Sequence, residues 1–550
     1  MVGTVLASSL WKLGAVSEEP SAANESSTPA EQILRTVGSA VFVGIGYYVG
    51  TRIGFAFTPS GQPNSTFWPP NAILLAALLL APRRTWWILL LAVLPAHLFA
   101  QLQTGVPLWT AVSWFITNTG EALVGAYCIT QLAPQTKNVF DSVRGVLIFV
   151  LFGVLVAPLA TSFLDAAAVV LTHWGRHYWP LGAERFWTNA LAELTVVPVI
   201  VTLISHGVSR GRKDGAGRRS EAGLLAVGTL LVTVAVFGVP SLSPATTPAL
   251  LYAPLPFLLW ATIRFGARGL SLSLLCTALI SIWCTLHVRE PFPYASMPQN
   301  ILSLQILFCL VAVPLLFLSA VIAEAEGTQE SLRRMGVSLI EAQEQERRRI
   351  ARELHDDLGQ ELALLQANLD GLIEESNESL RPGLNQLSDL LIHASTAARE
   401  ISHDLYPSQL QYVGLAAAVR RLCDDVSRGK HFSIQVAVGN LPHRLHPSVS
   451  LCLYRVTQEA LHNIISHSRA RNVKVELGAD CERILLGIID DGLGFDLSRT
   501  GSGLGLPSMR ERVRSIGGSI EIRSGSKAGT RVEVTVPINE GRTEDISRVA

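Results

Sequence analysis

Residues 344–370, EQERRRIARELHDDLGQELALLQANLD, decide how the rest of the chain is read. Leu354, Leu358, Leu362, Leu365, Leu369 and, just beyond, Leu372 recur at spacings of three and four, which marks one apolar face of a helix. His355 stands at the edge of that stripe with Asp356 beside it. Gln360 follows four residues after Asp356, one helical turn along. A neutral imidazole is a nucleophile near pH 7, and an adjacent carboxylate can fix its tautomer and take up charge. The stretch predicts an amphipathic helix that presents an activated histidine.

Upstream, residues 324–349 read as a charged helix with a weak seam of Leu332, Met335 and Leu339, suited to passing on rotation or splaying. Downstream, after a break at 376–383, a second helix carries Leu384, Leu387, Leu391, Ala394, Ala398, Ile401 and Leu405, and Pro407 ends it. Two such hairpins would make a four-helix dimer, so a homodimer is expected.

Lys plus Arg and Asp plus Glu each number 44, for a formal charge of zero, so no direct nucleic-acid binding is expected. That average hides a division. Residues 37–323 are dominated by long apolar runs, whereas the chain from Glu324 onward is charged. Ten segments approach the ~20-residue length of a membrane helix: 37–57, 67–82, 86–103, 110–131, 145–171, 188–206, 222–240, 248–263, 268–287 and 299–323. Eight spans is the alternative, since 67–82 and 248–263 are short enough to be re-entrant. Arg83, Arg84, Lys137, Arg144, Arg210, Arg212, Lys213, Arg218, Arg219, Arg264 and Arg268 fall in one set of alternate loops against Arg176, Arg185 and Arg289 in the other, which predicts a multi-pass protein with both termini cytoplasmic. Trp68-Pro69-Pro70-Asn71 opens a short apolar segment whose positive helix end could face a cavity. Glu121, Asp165 and Glu193 are costly in lipid and are expected to face a cavity or a partner. The seven cysteines show no CxxC or zinc spacing, which suggests reduced thiols without a ligand role.

The C-terminal portion, from about Leu415 to Pro537, predicts a mixed α/β domain. Strand-like runs lie at 472–477, 484–490, 519–523 and 531–536. Four further pieces lie among them. The helix RVTQEALHNIISHSRA (455–470) places Glu459 and Asn463 on one face, an oxygen pair suited to Mg²⁺ bound with substrate phosphates. Asp490-Asp491-Gly492-Leu493-Gly494 follows, then Gly501-Ser502-Gly503-Leu504-Gly505-Leu506 ahead of a helix, then Gly529-Thr530. Glycines before a helix leave backbone N–H groups open to phosphates. GxxxxGK[ST], HRD and DFG are absent, which disfavours the P-loop and protein-kinase folds.

ERRRIARELHDDLGQEL resembles the dimerisation and phosphoacceptor helix of two-component sensor histidine kinases, in the subclass that signals to NarL-type response regulators. The four downstream pieces are similar to the ATP-binding fold shared by histidine kinases, gyrase-type topoisomerases and heat-shock chaperone ATPases. FWPPNAILLAALLLAP (67–82), LPFLLWATIRFGARG (255–269) and LQILFCLVAVPLLFLSAVIAE (304–324) resemble the membrane-associated sensor module of hexose-phosphate-uptake type kinases. The resemblance implies a multi-pass α-helical membrane domain, an α-helical dimerisation hairpin and an α/β-sandwich ATP-binding domain. In residue ranges it implies a disordered cytosolic tail (1–34), the membrane sensor (35–323), a signalling linker (324–344), the phosphoacceptor domain (345–410), the ATPase domain (411–538) and a C-terminal tail (539–550).

The resemblance also implies site roles. His355 would accept the γ-phosphate of ATP with Asp356 as base, and Gln360 would support dephosphorylation of the regulator. Asn463 would hold Mg²⁺, and Glu459 would help polarise the transfer. Asp490 would accept the adenine amino hydrogen bond, with Gly492, Gly494, Gly503, Leu504, Gly505, Leu506, Gly529 and Thr530 forming the rest of the nucleotide site. His467 matches a family histidine, but Ser466 stands where lysine is common, which weighs against a phosphate contact from this helix. The implied setting is a bacterial inner membrane, with an unidentified small molecule or membrane protein as stimulus. A transporter-like receptor with a regulatory nucleotide domain, or a receptor dominated by phosphatase activity, remains as an alternative.

Overall fold

The structure is a computed structural model. It describes residues 29–59, 64–133, 138–172, 177–205, 216–239, 250–288, 296–375, 377, 380–406, 410, 413–428, 432–442, 445–480, 482–495, 505–525 and 528–538. Pro407, Gly503, Leu504 and most of both expected tails lie outside these residues. The chain divides into two compact units, Met1–Gln329 and Glu330–Ala550.

The first unit is helical: α1 Pro29–Ala56, α2 Pro69–Leu80, α3 Trp86–Gln103, α4 Leu108–Leu132, α5 Val143–Leu171, α6 Tyr178–Ser205, α7 Ala216–Phe237, α8 Leu255–His287 and the start of α9, Met297–Glu353. Among the described residues, six helices are long and apolar enough to cross a membrane, fewer than the ten segments expected. The differences have separate causes. α1 and α4 are long, but polar residues dilute them; α4 alone carries Thr110, Asn118, Thr119 and Glu121. α2 has 12 residues, about 18 Å at the helical rise against a ~30 Å hydrocarbon layer. It packs against α1, α4 and α6, with Ala72, Leu74, Leu75, Ala76 and Leu78 fully buried.

The segment expected at 248–263 enters α8 only from Leu255, and that at 268–287 lies within it; α8 consists of two helices meeting at Gly266. There φ is 64° and ψ is −155°, a conformation open only to glycine, so the chain turns instead of spanning straight through. Arg264 pairs with Glu221 at 2.9 Å and Arg218 lies over the Phe265 ring, which sets this turn beside the start of α7. Two of the three intramembrane carboxylates find partners, whereas Glu193 is fully buried with neither carboxylate oxygen hydrogen-bonded among the described residues. Asp165 pairs with Arg185 and accepts from Thr117 at 2.6 Å, while Glu121 accepts from Thr161 at 2.5 Å and Asn189 at 2.9 Å.

In the second unit α9 runs to Glu353, a single wide turn covers Leu354–Leu358, and α10 (Gly359–Glu375) and α11 (Arg381–Leu405) form an antiparallel hairpin. After α12 (Leu415–Ser427) comes a five-stranded sheet of β1 (Ser433–Val438), β2 (Asn472–Ala479), β3 (Arg483–Asp490), β4 (Ser519–Ser524) and β5 (Thr530–Pro537), in the order β1-β2-β3-β5-β4. β1 pairs with β2 in parallel and all other pairs are antiparallel. β1 is an edge strand with Ile434, Val436 and Val438 half-buried on one face; it was not among the expected strands, although its residues alternate with a period of two. Val473, Val475, Leu477, Ile484, Leu486, Ile488, Val532, Val534 and Val536 share one buried face, packed with residues of α12, α13 (Pro447–Asn463) and α14 (Gly505–Ser515). The six described cysteines are free thiols, and burial pushes Cys423 and Cys452 up to about 12.

Candidate active site

The period of two along β3 runs Ile484, Leu486, Ile488 and then Asp490, so the same parity that fills the core buries a carboxylate at the strand's end. Asp490 is only 5% exposed, and its Oδ1 accepts the Gly492 N–H at 2.9 Å. In the β3–β5 register Asp490 stands opposite Thr530, and the Gly529 N–H donates to the Gly492 carbonyl at 3.0 Å. Gly529 has φ 71°, and a Cβ there would collide with the Asp490 carbonyl. Gly494 has φ 60°, and a Cβ there would collide with the Gly525 carbonyl. The glycines thus close a tight wall beside one buried acceptor. Thr530 Oγ1 lies 3.1 Å from Ser524 Oγ.

The neighbouring Asp491 has a different task. Its carboxylate accepts the backbone N–H groups of Arg471 (2.7 Å) and Asn472 (2.9 Å) and the Asn472 side-chain amide (2.8 Å), which together hold its pKa below the usual carboxylate range. It fastens the turn ahead of β2, leaving Asp490 as the acidic group facing the glycine wall.

Glu459 and Asn463 are half-buried one turn apart on α13, which ends at Asn463. A wide turn, Ile464–Ser468, follows, and Arg469 takes the left-handed conformation that terminates it. His467 and Ser466 are exposed on this turn. The backbone of Gly505, first residue of α14, approaches Glu459 so closely that a Cβ would overlap the carboxylate. Glu459 is thereby joined to the start of the helix that follows the Gly-rich segment; Leu506 packs partly into the core.

On the phosphoacceptor helix, His355 Nδ1 lies 3.0 Å from Asp356 Oδ1, and both side chains are exposed. The wide turn Leu354–Leu358 is closed by the Gly359 N–H donating to the Leu354 carbonyl, an i→i+5 bond. One extra residue in the turn advances the helical phase, so the face of His355 is met again five residues on, at Gln360. A regular helix had aligned Gln360 with Asp356. Nothing in the leucine spacing discloses the extra residue.

Sequence reasoning also missed a clasp around Glu344. Its two carboxylate oxygens accept from Arg455 at 3.1 Å and from Arg512 at 2.5 Å. Arg455 also donates to the Leu405 carbonyl at 2.6 Å and to Gln458 at 2.7 Å. This group connects α9, the end of α11, α13 and α14. Burial lowers the Arg455 pKa, against the opposing pull of Glu344. Glu344 lay in a charge run that reads as a solvated face, and only its distant partners distinguish it.

Three family descriptions match along the chain: MASE1 over residues 39–326, histidine kinase over 346–410, and histidine kinase-, DNA gyrase B- and HSP90-like ATPase over 449–540. The signal transduction histidine-protein kinase/phosphatase UhpB of Salmonella typhimurium is 30% identical over 64% of this chain and 68% of its own length. The chain belongs to the membrane sensor histidine kinases. Further relatives of this kinase are the sensor histidine kinase MctS of Rhizobium johnstonii (30% identical, 45% of this chain, 56% of that protein) and the oxygen sensor histidine kinase NreB of Staphylococcus carnosus (31%, 38% and 61%). For these two, the kinase spans little more than half of the relative's length. It is a multi-pass membrane protein and an ATP-dependent protein histidine kinase.

Proposed function

We propose that ATP binds against Asp490, Gly492, Gly494, Gly529 and Thr530, and that its γ-phosphoryl group passes to His355 and then to an aspartate of a separate NarL-type response regulator. The observation that carries this reading is the 3.0 Å contact between His355 Nδ1 and Asp356 Oδ1. It directs Nδ1 to the carboxylate and frees Nε2 for attack. Asp490 accepts the adenine amino group, and Thr530, opposite it in the sheet, borders the same wall. Gly503 and Leu504 complete the phosphate loop in this assignment, with Gly505 and Leu506 at the helix start, and His467 is assigned to the same nucleotide site.

The half-buried oxygens of Glu459 and Asn463 fit a hard cation shared with phosphates. Asn463 would hold Mg²⁺, which supplies charge neutralisation on the phosphates, and Glu459 orients the transfer from beside Gly505. Gln360, on the face of His355, positions a water for dephosphorylating the regulator, in line with the kinase/phosphatase name of UhpB.

The kinase acts as a homodimer. Leu358 on the wide turn, Leu365 and Leu372 on α10, and Leu387 and Ile401 on α11 are exposed at heptad-related positions, and a second hairpin would cover them. Both termini are cytoplasmic and the membrane is the bacterial inner membrane. Arg83, Arg84, Arg218, Arg264 and Arg268 supply the positive cytoplasmic loops. The test is incubation of the full chain in phospholipid nanodiscs with γ-labelled ATP. Acid-labile, base-stable label that disappears in His355→Gln supports the assignment; label retained in that variant overturns it.

A further inference from the structure

Among the described residues, the buried acids of the first unit are Glu121 on α4, Asp165 on α5 and Glu193 on α6. Arg185 answers Asp165, and no arginine or lysine of the described residues pairs with the other two. Glu121 is held as an acceptor: its Oε2 takes the Thr161 hydroxyl at 2.5 Å and the Asn189 amide at 2.9 Å. Its Oε1 and both oxygens of Glu193 are buried without a hydrogen-bond partner among the described residues. Glu193 is fully sealed, so it has lost water without gaining a donor, which buried charge does not tolerate. Asn118 accepts from Asn71 Nδ2 at 3.4 Å and leaves its own Nδ2 unused, so no amide has turned to answer Glu193.

The two acids meet each other: Glu121 is the side chain within hydrogen-bonding reach of Glu193. Two carboxylates only accept, so this contact carries no hydrogen bond unless one of them is protonated. Side by side and away from water, two such negative charges disfavour each other. The missing group therefore supplies a positive charge and one donor, in a space closed to water. A proton meets all three conditions. Glu193 is its holder, because Glu121 already takes two donors and Glu193 takes none.

We propose that Glu121 and Glu193 form an exchangeable proton-binding site in the sensor, in which the Glu193 hydroxyl donates to Glu121 Oε1 and ties α6 to α4. The proposal rests on the sensor-kinase reading above and adds the ligand, a proton. Asn189, which donates to Glu121, also lines a cavity of about 530 Å³ between α1, α3, α4 and α6, so the pair lies one residue behind that space. On release the Glu193 O–H bond breaks, a water from the cavity takes the proton as hydronium, and both acids are left as carboxylates. Two contacting negative charges then push α4 and α6 apart. α6 also carries Thr188, whose Oγ1 accepts from Gln305 at 3.0 Å, and Gln305 sits on α9, the helix that leads to His355. Proton release thus acts on the signalling helix through Gln305. Of the helices packed against α6, α2 carries no titratable group, and α5 carries Asp165, already paired with Arg185. α8 carries Arg264, Arg268 and His287 at its turn and its end, with the thiols Cys276 and Cys284 between.

The test uses the full chain in nanodiscs, read by infrared difference spectroscopy and by autophosphorylation at a series of pH values. Wild type shows the carbonyl band of a buried protonated carboxyl, and Glu193→Gln, whose amide still donates to Glu121, removes it. The ratio of the wild-type rate to that of Glu193→Gln changes with pH by about fivefold or more, the lower end of ordinary coupling between two sites. Taking the ratio cancels the titration of the kinase groups, which both proteins share. Glu121→Gln removes the charge that repels ionised Glu193, so it too flattens the response and serves should Glu193→Gln fail to fold. Gln305→Leu keeps the infrared band and basal autophosphorylation but loses the pH-dependent difference.

A band that survives in Glu193→Gln overturns the proposal, as does a ratio that stays flat with pH, or a pH response left intact in both acid variants. A ratio that follows sodium or potassium, exchanged for choline, and not pH would replace the proton by a metal cation and overturn it too. If the ratio is flat while His355 is labelled, the proton site falls and the kinase reading stands. If His355 is never labelled, the kinase reading falls, and the infrared band still decides the site.

Discussion

His355 and Asp356 are adjacent in sequence and in contact, yet their neighbour Gln360 reaches the histidine's face only through the wide turn. This arrangement separates two chemistries. General-base help is typically worth ~10²–10⁴-fold, so Asp356→Ala lowers autophosphorylation by about that factor while ATP binding is unchanged. Gln360→Ala keeps autophosphorylation and transfer but lengthens the lifetime of the regulator's aspartyl phosphate. An unchanged lifetime beside a lost kinase activity would reverse the two roles. Asp491 offers a pH signature. Its native pKa is depressed by three N–H donors, so its contribution is present above the unfolded value of ~3.9 and fades as pH falls through the native one. The melting-temperature gap between wild type and Asp491→Asn is accordingly largest at neutral pH and shrinks in acid. A gap that persists unchanged at low pH would show that shape, not charge, supplies the effect.

Among elements, α9 has most to connect, since Glu344 draws α13 and α14 to it through two arginines. Arg455 is nearly sealed from solvent, and removing one partner of a buried pair costs about 3–5 kcal/mol. The Leu405 carbonyl and Gln458 still hold Arg455, so Glu344→Gln falls at or below the lower end of that range. Hydrogen exchange in α13 and α14 rises in this variant, with the β2–β3–β5 ladder unaffected. Equal exchange in wild type and variant would show that the clasp does not fasten these helices. The hairpin illustrates a second point at this scale. Leu384, Leu391 and Ala398 face inward on α11, while Leu387, Ala394 and Ile401 stay exposed. One sequence seam has become two surfaces.

For the whole molecule those exposed surfaces imply a partner copy. Replacing Leu365 and Leu387 by Asp places charge on the exposed heptad positions and spares the inward set, so the hairpin folds but the dimer dissociates. Light scattering of the detergent-solubilised chain should halve the protein mass, and a mass that stays at the dimer value would locate the interface elsewhere.

The repeated leucines, the HDDLGQ run and the ATPase domain were legible from residues 344 onward because their information is local: period, adjacency and glycine placement. The division into an apolar and a charged half was legible for the same reason. Other features depended on tertiary structure. The extra residue at Leu354–Leu358 changes no spacing that a helical pattern would register, yet it decides which residue shares the histidine's face. The alternation of Ile434, Val436 and Val438 reads as a strand, but its parallel pairing with β2 at the sheet edge is decided by the fold. The segments at 248–263 and 268–287 read as two separate segments, the first a span or a re-entrant piece, and the φ of Gly266 decides how the chain turns between them. The partners of Glu344 lie 111 and 168 residues away in the chain. Asp165 and Arg185 likewise come from different helices. Local periodicity carries the identity of elements, but buried charge is stabilised only by groups that folding brings from elsewhere in the chain.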